Sequence, residues 1–271
     1  MTPDEKLAAI RSAVQIDPGT RGLARLFESY PDDFANACRS LAETRHAACR
    51  IRTGFYIPSA EPPAFETDGP LGAAFLVRAF ATLGIGSMLL AEEPVLRAIG
   101  LDATASFEAM THDLAIERAG PAADGNHYTM RGRDLTPFLD VQPPFEGPVT
   151  IGIGDGGNEV GMGKLPHEFV AGDIPNGDRI HCRVPADHLL VVGVSNWGAY
   201  ALAAGLFVLR GVEPPAGLFD PDRERATLEA MVRAGPLVDG VTGRPTATVD
   251  GLTWDEYAAP LVRIAAILEA S

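Results

Sequence analysis

The chain has 271 residues, with 22 Lys and Arg against 36 Asp and Glu, and a formal net charge of −14. That field repels nucleic-acid phosphates and anionic lipid, so neither nucleic acid nor a membrane surface is an expected partner. A composition of 46% hydrophobic and 21% charged residues argues for a folded globular chain rather than a disordered one. The start, Met1-Thr2-Pro3-Asp4-Glu5-Lys6-Leu7, has neither the basic opening nor the apolar core of a signal peptide, so a cytoplasmic protein is expected. Cys38, Cys49 and Cys182 form no Cys-x-x-Cys pair and read as reduced, buried thiols.

In chain order, residues 1–48 read as a helical segment. Leu7, Ile10 and Val14 recur at helical spacing, followed by Leu23, Leu26 and Phe27, then Phe34, Ala37, Cys38 and Leu41. From residue 49 to residue 271 short apolar runs alternate with amphipathic ones, the pattern of an α/β core. Strands are predicted over 51–57, 87–90, 104–110, 149–153 and 189–194. Helices are predicted over 71–83, 94–99, 113–118, 200–209, 223–234 and 254–270. The apolar run over 189–209 is long enough to span a bilayer, but Ser195-Asn196-Trp197-Gly198 interrupts it, and a strand, a turn and a helix fit better. The expected fold is α/β: a mostly parallel sheet flanked by helices in Rossmann-like layers, with a helical N-terminal segment, all in one domain spanning 1–271.

Ligands of parallel sheets bind beyond the carboxyl ends of the strands. Three unusual loops fall there: 66–70, 154–157 and 194–198. The middle one belongs to Gly152-Ile153-Gly154-Asp155-Gly156-Gly157-Asn158-Glu159-Val160-Gly161-Met162-Gly163-Lys164. Its Gly-x-Gly-x-x-Gly spacing matches a dinucleotide fingerprint, but Asp155 would set a carboxylate against the pyrophosphate, so no nucleotide cofactor is expected. The glycines, including Gly156 and Gly157, suit close backbone approach to a small ligand. Asp155, Asn158 and Glu159 present oxygen ligands or proton acceptors, and a helix starting here would put 155 and 159 on one face. Such oxygens suit Mg²⁺, Mn²⁺ or Ca²⁺. The competing reading is a tight turn with Asp155 capping that helix.

Asp68 faces the same choice. It is an N-cap for the helix from Leu71, or a further carboxylate beside Glu66, with Glu92 and Glu93 able to join them. Arg118 and Arg131 could anchor a substrate carboxylate through a bidentate pair, against an ordinary surface ion pair. Ser195 lacks the Gly-x-Ser-x-Gly frame of a serine hydrolase, yet Ser195-Asn196 could donate to a developing oxyanion.

Five blocks together resemble the D-glutamate cyclase family: Thr67-Asp68-Gly69-Pro70 with Gly72-Ala73; Glu117-Arg118-Ala119-Gly120 with Ala123-Asp124-Gly125-Asn126; the glycine loop from Ile153 to Lys164; Val194-Ser195-Asn196-Trp197-Gly198; and Val249-Asp250-Gly251. The glycine-loop block is long and specific, and the first fifty residues carry little of the resemblance. It implies an enzyme, a lyase converting D-glutamate to 5-oxo-D-proline and water, with a divalent-metal site among the carboxylates. On that expectation Asp68, Asp155 and Glu159 hold the metal, and Asp155, Glu159, Asn158 and Asp68 serve the chemistry. Arg118, Asn126, Lys164, Ser195, Asn196, Gly156 and Gly157 bind the substrate, with Arg118 or Lys164 on its α-carboxylate. A small acidic amino acid is then the partner, and assembly into a homo-oligomer stays open. Two other readings remain: a metal-dependent hydrolase of a phosphate ester or amide, and a non-catalytic amino-acid or metal-binding module.

Overall fold

The computed structural model describes residues 1–100 and 110–270. Three N-terminal helices, α1 (Pro3–Val14), α2 (Ala24–Phe27) and α3 (Asp33–Glu43), precede β1 (Ala48–Gly54). Then come β2 (Tyr56–Ile57), β3 (Ala64–Glu66), α4 (Pro70–Thr82), β4 (Gly86–Leu90), α5 (Glu93–Ile99) and β5 (His112–Arg118). A 3-10 turn, Thr136–Phe138, lies before β6 (Val149–Gly154), α6 (His167–Asp173), α7 (Gly177–Ile180) and β7 (His188–Val191). The chain closes with α8 (Ser195–Arg210), α9 (Pro221–Ala234), β8 (Leu237–Val238) and α10 (Trp254–Glu269).

The main sheet has five strands in the order β4-β1-β5-β6-β7, and every neighbouring pair is parallel. Counted along the chain this is the 2-1-3-4-5 order of doubly wound folds, whose strand order reverses between the first and third strands, here β1 and β5. A smaller sheet, β2-β3-β8, stands beside it. The expected α/β fold with helical layers is therefore found. Strand alternation divides the core: Leu190 and Val192 join the main apolar cluster with α1, α3, α4 and α8, whereas Leu189 and Val191 face a second cluster with α2, α6 and α7. All three cysteines are buried and free.

Two expectations are corrected. Residues 113–118 are strand, not helix, and all seven residues of β5 are buried. Three of its four charged or polar members are paired: Asp113 with Arg50 and Arg52, Glu117 with Ser195, and Arg118 with Glu92. Paired charges can lie in a central strand, so the mixed pattern imitates a helix. The strand expected over 51–57 divides into β1 and β2, with a register shift between Arg52 and Gly54 and a φ of +110° at Gly54. The strand predicted over 104–110 lies, apart from Met110, outside the described residues. Among the described residues no helix is long and apolar enough to cross a membrane.

Candidate active site

The loops after β3, β5, β6 and β7 converge at the carboxyl edge of the main sheet, beside the reversal of strand order. There the chain encloses a cavity of about 340 Å³. Its acidic lining is Glu66, Asp68, Glu117, Asp155 and Asp250; its cations are Arg21, Arg131 and Arg133; Phe55, Ile57 and Leu252 form an apolar wall.

Asp68 is held by an exchange of caps between two helices. Its Oδ2 and Oδ1 accept from the backbone N–H groups of Ser195 and Asn196, each at 2.8 Å, at the first turn of α8. In return Asn196 Oδ1 accepts from Gly69 N at 2.9 Å and Gly72 N at 2.7 Å, at the first turn of α4. Caps of this kind each stabilise by about 1 kcal/mol, and here they also lock two loops together. Asp68 is thus not the N-cap of its own helix; it caps the other. The close approach requires glycine, because a Cβ on Gly69 would stand 2.6 Å from Glu117 Cβ.

Glu117, the last residue but one of β5, has a φ of +43°, an unusual conformation for a residue with a Cβ. Ser195 Oγ donates to Glu117 Oε2 at 2.5 Å. The glycine loop does not start a helix, contrary to the expectation that set 155 and 159 on one helical face; the next helix is α6. The loop instead folds back over its own strand and pairs with the end of β5, through Val160 N to Arg118 O at 2.8 Å and Gly120 N to Asn158 O at 2.9 Å. A Cβ on Gly152 would lie 2.8 Å from Gly161 Cα, so the glycines serve the loop's approach to the strand. Asp155 and Glu159 still meet, because Asp155 N donates to Glu159 Oε1 at 3.1 Å.

Arg21 comes from the α1–α2 loop. Asp17 shapes that loop by accepting from the backbone N–H groups of Arg21, Gly22 and Leu23 at 2.9, 3.0 and 3.1 Å. The guanidinium then binds Asp155 Oδ1 at 2.7 Å and Asp250 Oδ2 at 2.6 Å. Burial opposes its charge, but Asp155 and Asp250 outweigh burial and hold it firmly protonated.

The electrostatics are those of crowded, dehydrated carboxyls. Burial, then Asp250, pushes Asp68 up to about 8 against the opposing backbone bonds from Asn196 and Ser195. Burial also raises Glu66 and Glu117 well above the ordinary range, with neighbouring carboxylates adding to it. Asp155 is raised well above its ordinary value by burial despite the nearby Arg21, and Glu159 is raised by burial. Among the described residues Asp68, Glu117 and Asp155 each offer a carboxylate oxygen, all within 4.8 Å of one another. This is a hard-oxygen donor set of the kind divalent cations take. Asp155 Oδ2, Asn158 Oδ1 and Glu159 Oε2 are buried without a hydrogen-bond partner, which is costly unless a ligand satisfies them.

Of the residues expected from sequence, Asp68, Asp155 and Asn158 line the cavity, with Gly156, Gly157 and Glu159 in the same loop. Ser195 and Asn196 support its floor through Glu117, Asp68 and α4. The structure does not bring Arg118 there: its Nη1 lies 2.6 Å from Glu92 Oε2, and both side chains are buried. Lys164 is bound to Asp33 and to Asp187 O, each at 2.5 Å. Asn126 sits on a surface turn with Asp124 and Tyr128. Glu66 and Arg131 do line the cavity, as their positions suggested.

Four lining residues, Arg21, Glu117, Arg133 and Asp250, were given no role from sequence. Arg21 gives no local signal, because its partners lie more than a hundred residues away. Glu117 was readable: had residues 112–118 been taken as a strand, Glu117 would stand at its carboxyl end, the edge where ligands bind.

The family described as D-glutamate cyclase-like, C-terminal, matches residues 10–264. The human protein named "D-glutamate cyclase, mitochondrial" is 33% identical over 250 residues, covering 77% of this chain and 40% of the human protein's length. The chain therefore spans well under half of that relative. The match includes most of the N-terminal helical segment, and with it the loop that delivers Arg21. A matched region that takes in every carboxylate of the cavity and the arginine that clamps two of them leaves one conclusion: the chain belongs to the D-glutamate cyclase-like, C-terminal family.

Proposed function

We propose that the chain is a lyase that closes D-glutamate to 5-oxo-D-proline with release of water. The observation that supports it most directly is the buried group Asp68, Glu117 and Asp155 at the floor of a cavity sized for a small molecule. Lactam formation joins the amine nitrogen to the γ-carboxyl carbon and breaks one carbon–oxygen bond. Two protons leave the nitrogen, and both end on the departing oxygen as water. The site therefore needs groups that accept and return protons near neutral pH, and carboxyls raised by burial and crowding have that property.

Glu66 lines the cavity outside the three-carboxyl group and is the proton carrier in this reading. Asp68, Glu117 and Asp155 would hold a divalent cation such as Mg²⁺, Mn²⁺ or Ca²⁺, which when bound supplies charge to polarise the γ-carboxylate. Glu159 orients Asp155 through its backbone N–H, and Ser195 fixes the rotamer of Glu117. The apolar wall of Phe55, Ile57 and Leu252 limits water on its side of the cavity, and holding both ends of the substrate favours its folded form.

Proton NMR of the purified protein with D-glutamate and with L-glutamate, each with and without a chelator, tests the proposal. 5-Oxoproline formed from the D isomer supports it, and loss of that activity on chelation supports the cation. Turnover of generic phosphate esters or amides with Mg²⁺ or Mn²⁺, and none of D-glutamate, would favour a metal-dependent hydrolase. Ligand-induced thermal stabilisation without any product would favour a binding module.

A further inference from the structure

The cavity is polar in a directional sense. Its floor is a set of carboxyls, and two of its lining residues, Arg131 and Arg133, sit on one exposed hairpin. Hydrogen bonds close that hairpin. Thr129 N donates to Arg133 O at 2.9 Å, Gly132 N to Thr129 O at 2.8 Å, and Arg133 N to Thr129 Oγ1 at 3.1 Å. Neighbouring elements pin it from outside. Asn158 of the glycine loop donates to Tyr128 O at 2.8 Å, Asn176 to Met130 O at 2.9 Å, and the Arg179 guanidinium lies 4.6 Å from the Tyr128 ring centroid. Arg131 Nη2 reaches Val241 O, on the opposite lip of the cavity, at 3.4 Å. Among the described residues neither Arg131 nor Arg133 makes an ion pair, whereas Arg21, the third cation lining the cavity, is committed to Asp155 and Asp250.

Resting on the cyclase reading above, we propose that Arg131 and Arg133 bind the substrate's α-carboxylate, and that the hairpin carrying them selects the D isomer. Ring closure brings the amine and the γ-carboxyl together at the floor, which leaves the α-carboxylate as the one charged group that takes no part. Arg21, the cation nearest the floor, is bound to Asp155 and Asp250 and leaves no free guanidinium there to hold it. The two hairpin guanidinium groups, neither of them in an ion pair, attract it and match its planar pair of oxygens. With the amine and γ-carboxyl held in place, only one configuration at the α carbon directs the α-carboxylate to the hairpin, and on the cyclase reading that configuration is D. The same contact therefore reads chirality. The arginines take the role that sequence assigned to Arg118 or Lys164, both of which the fold uses elsewhere.

The test is kinetic, with a matched pair of ligands. R131Q, R133Q and the double variant are compared with the parent protein on D-glutamate and on its α-carboxamide. In the double variant kcat/KM for D-glutamate should fall on the order of tenfold or more, carried by KM, as expected for loss of charge-assisted hydrogen bonds. The α-carboxamide, which lacks the charge, should be used poorly by the parent and change little in the variants. The preference for D- over L-glutamate should shrink. R131K should retain part of the effect. An equal fall for both ligands, or no fall for D-glutamate, would overturn the proposal. Calorimetric binding of D-glutamate separates this from failure of the cyclase reading. A parent that binds without turnover, and a double variant that does not bind, would remove the reaction and keep the arginines. A parent that neither binds nor turns over D-glutamate removes both.

Discussion

Two buried polar regions of this protein use the same kinds of group and end in opposite states. Behind the sheet, Glu224 on α9 lies fully enclosed between α4, α8 and α10. Its Oε2 binds Arg78 at 2.5 Å, its Oε1 accepts from Tyr200 at 3.1 Å, and Tyr200 shares a hydrogen bond of 2.7 Å with Tyr257. Both of its oxygens are satisfied by the protein itself, although burial still lifts it to about 7 against Arg78. At the carboxyl edge of the sheet, Asp68, Glu117, Asp155, Glu159 and Glu66 crowd around one buried guanidinium, and oxygens of Asp155, Asn158 and Glu159 have no partner. The first arrangement is complete and ties helices together. The second leaves those oxygens without a partner among the described residues. Polar groups that a fold leaves unsatisfied at a strand edge mark a site; those it satisfies mark a joint.

That contrast can be broken by substitution. The largest expected effect is on turnover. Asp155→Asn should lower kcat by at least about a hundredfold, and Glu159→Gln likewise, without unfolding the protein, because Arg21 keeps Asp250 as its partner. Normal 5-oxoproline formation by either variant, followed by NMR, would remove the substituted residue from the scheme. Glu224→Ala should do the reverse. Removing one partner of a buried ion pair costs roughly 3 kcal/mol, which urea denaturation would detect, and the surviving folded fraction should keep its KM.

A second way to sharpen the contrast is pH. In chelator-treated protein Asp68 titrates at about 8 when folded, against an ordinary 3.8. The folded chain then keeps a proton that the unfolded chain has released, so this contribution is present at the acid end of that window. It is lost as pH rises through 8, at up to about 1.4 kcal/mol per pH unit for each such group. Chelator-treated protein should therefore be more stable at pH 6 than at pH 8, and Mn²⁺ or Mg²⁺ should raise the unfolding temperature more at pH 8. Arg21→Gln should steepen the same dependence, destabilising more at pH 8 than at pH 6, because Asp155 and Asp250 lose their counter-charge. A flat profile for that variant would show that Arg21 does not govern the acids. The smallest effect belongs to Asn126→Ala, on the surface turn, with less than about 0.5 kcal/mol in stability and no measurable change in kcat/KM.

Much of the fold was legible because it is written in periodicity. The helices over 70–82 and 254–269, and the strands entering the glycine loop and preceding Ser195, follow from apolar spacing that survives in any tertiary context. The error at β5 has a clear cause: Asp113, Glu117 and Arg118 are buried beside Arg50, Arg52, Ser195 and Glu92, and such pairing erases the alternation that reveals a strand. Asp155 and Asn158 of the glycine loop line one cavity with Asp68, at the strand-end edge their positions suggested. The loop's conformation was not recognisable, since a back-folded loop and a helix start need the same glycines.

The sequence by itself determined the alternation of strands and helices, the acidic character of the strand-end loops and the family blocks, because these are properties of neighbouring residues. Only the tertiary structure decided which charges meet. Arg118 and Lys164 are spent on Glu92 and Asp33, Arg21 arrives from the N-terminal segment to clamp Asp155 and Asp250, and Asp68 caps a helix that begins at Ser195. The physical reason is that Coulomb and hydrogen-bond energies depend on distance through space and on burial, and neither quantity is encoded in the local spacing of residues.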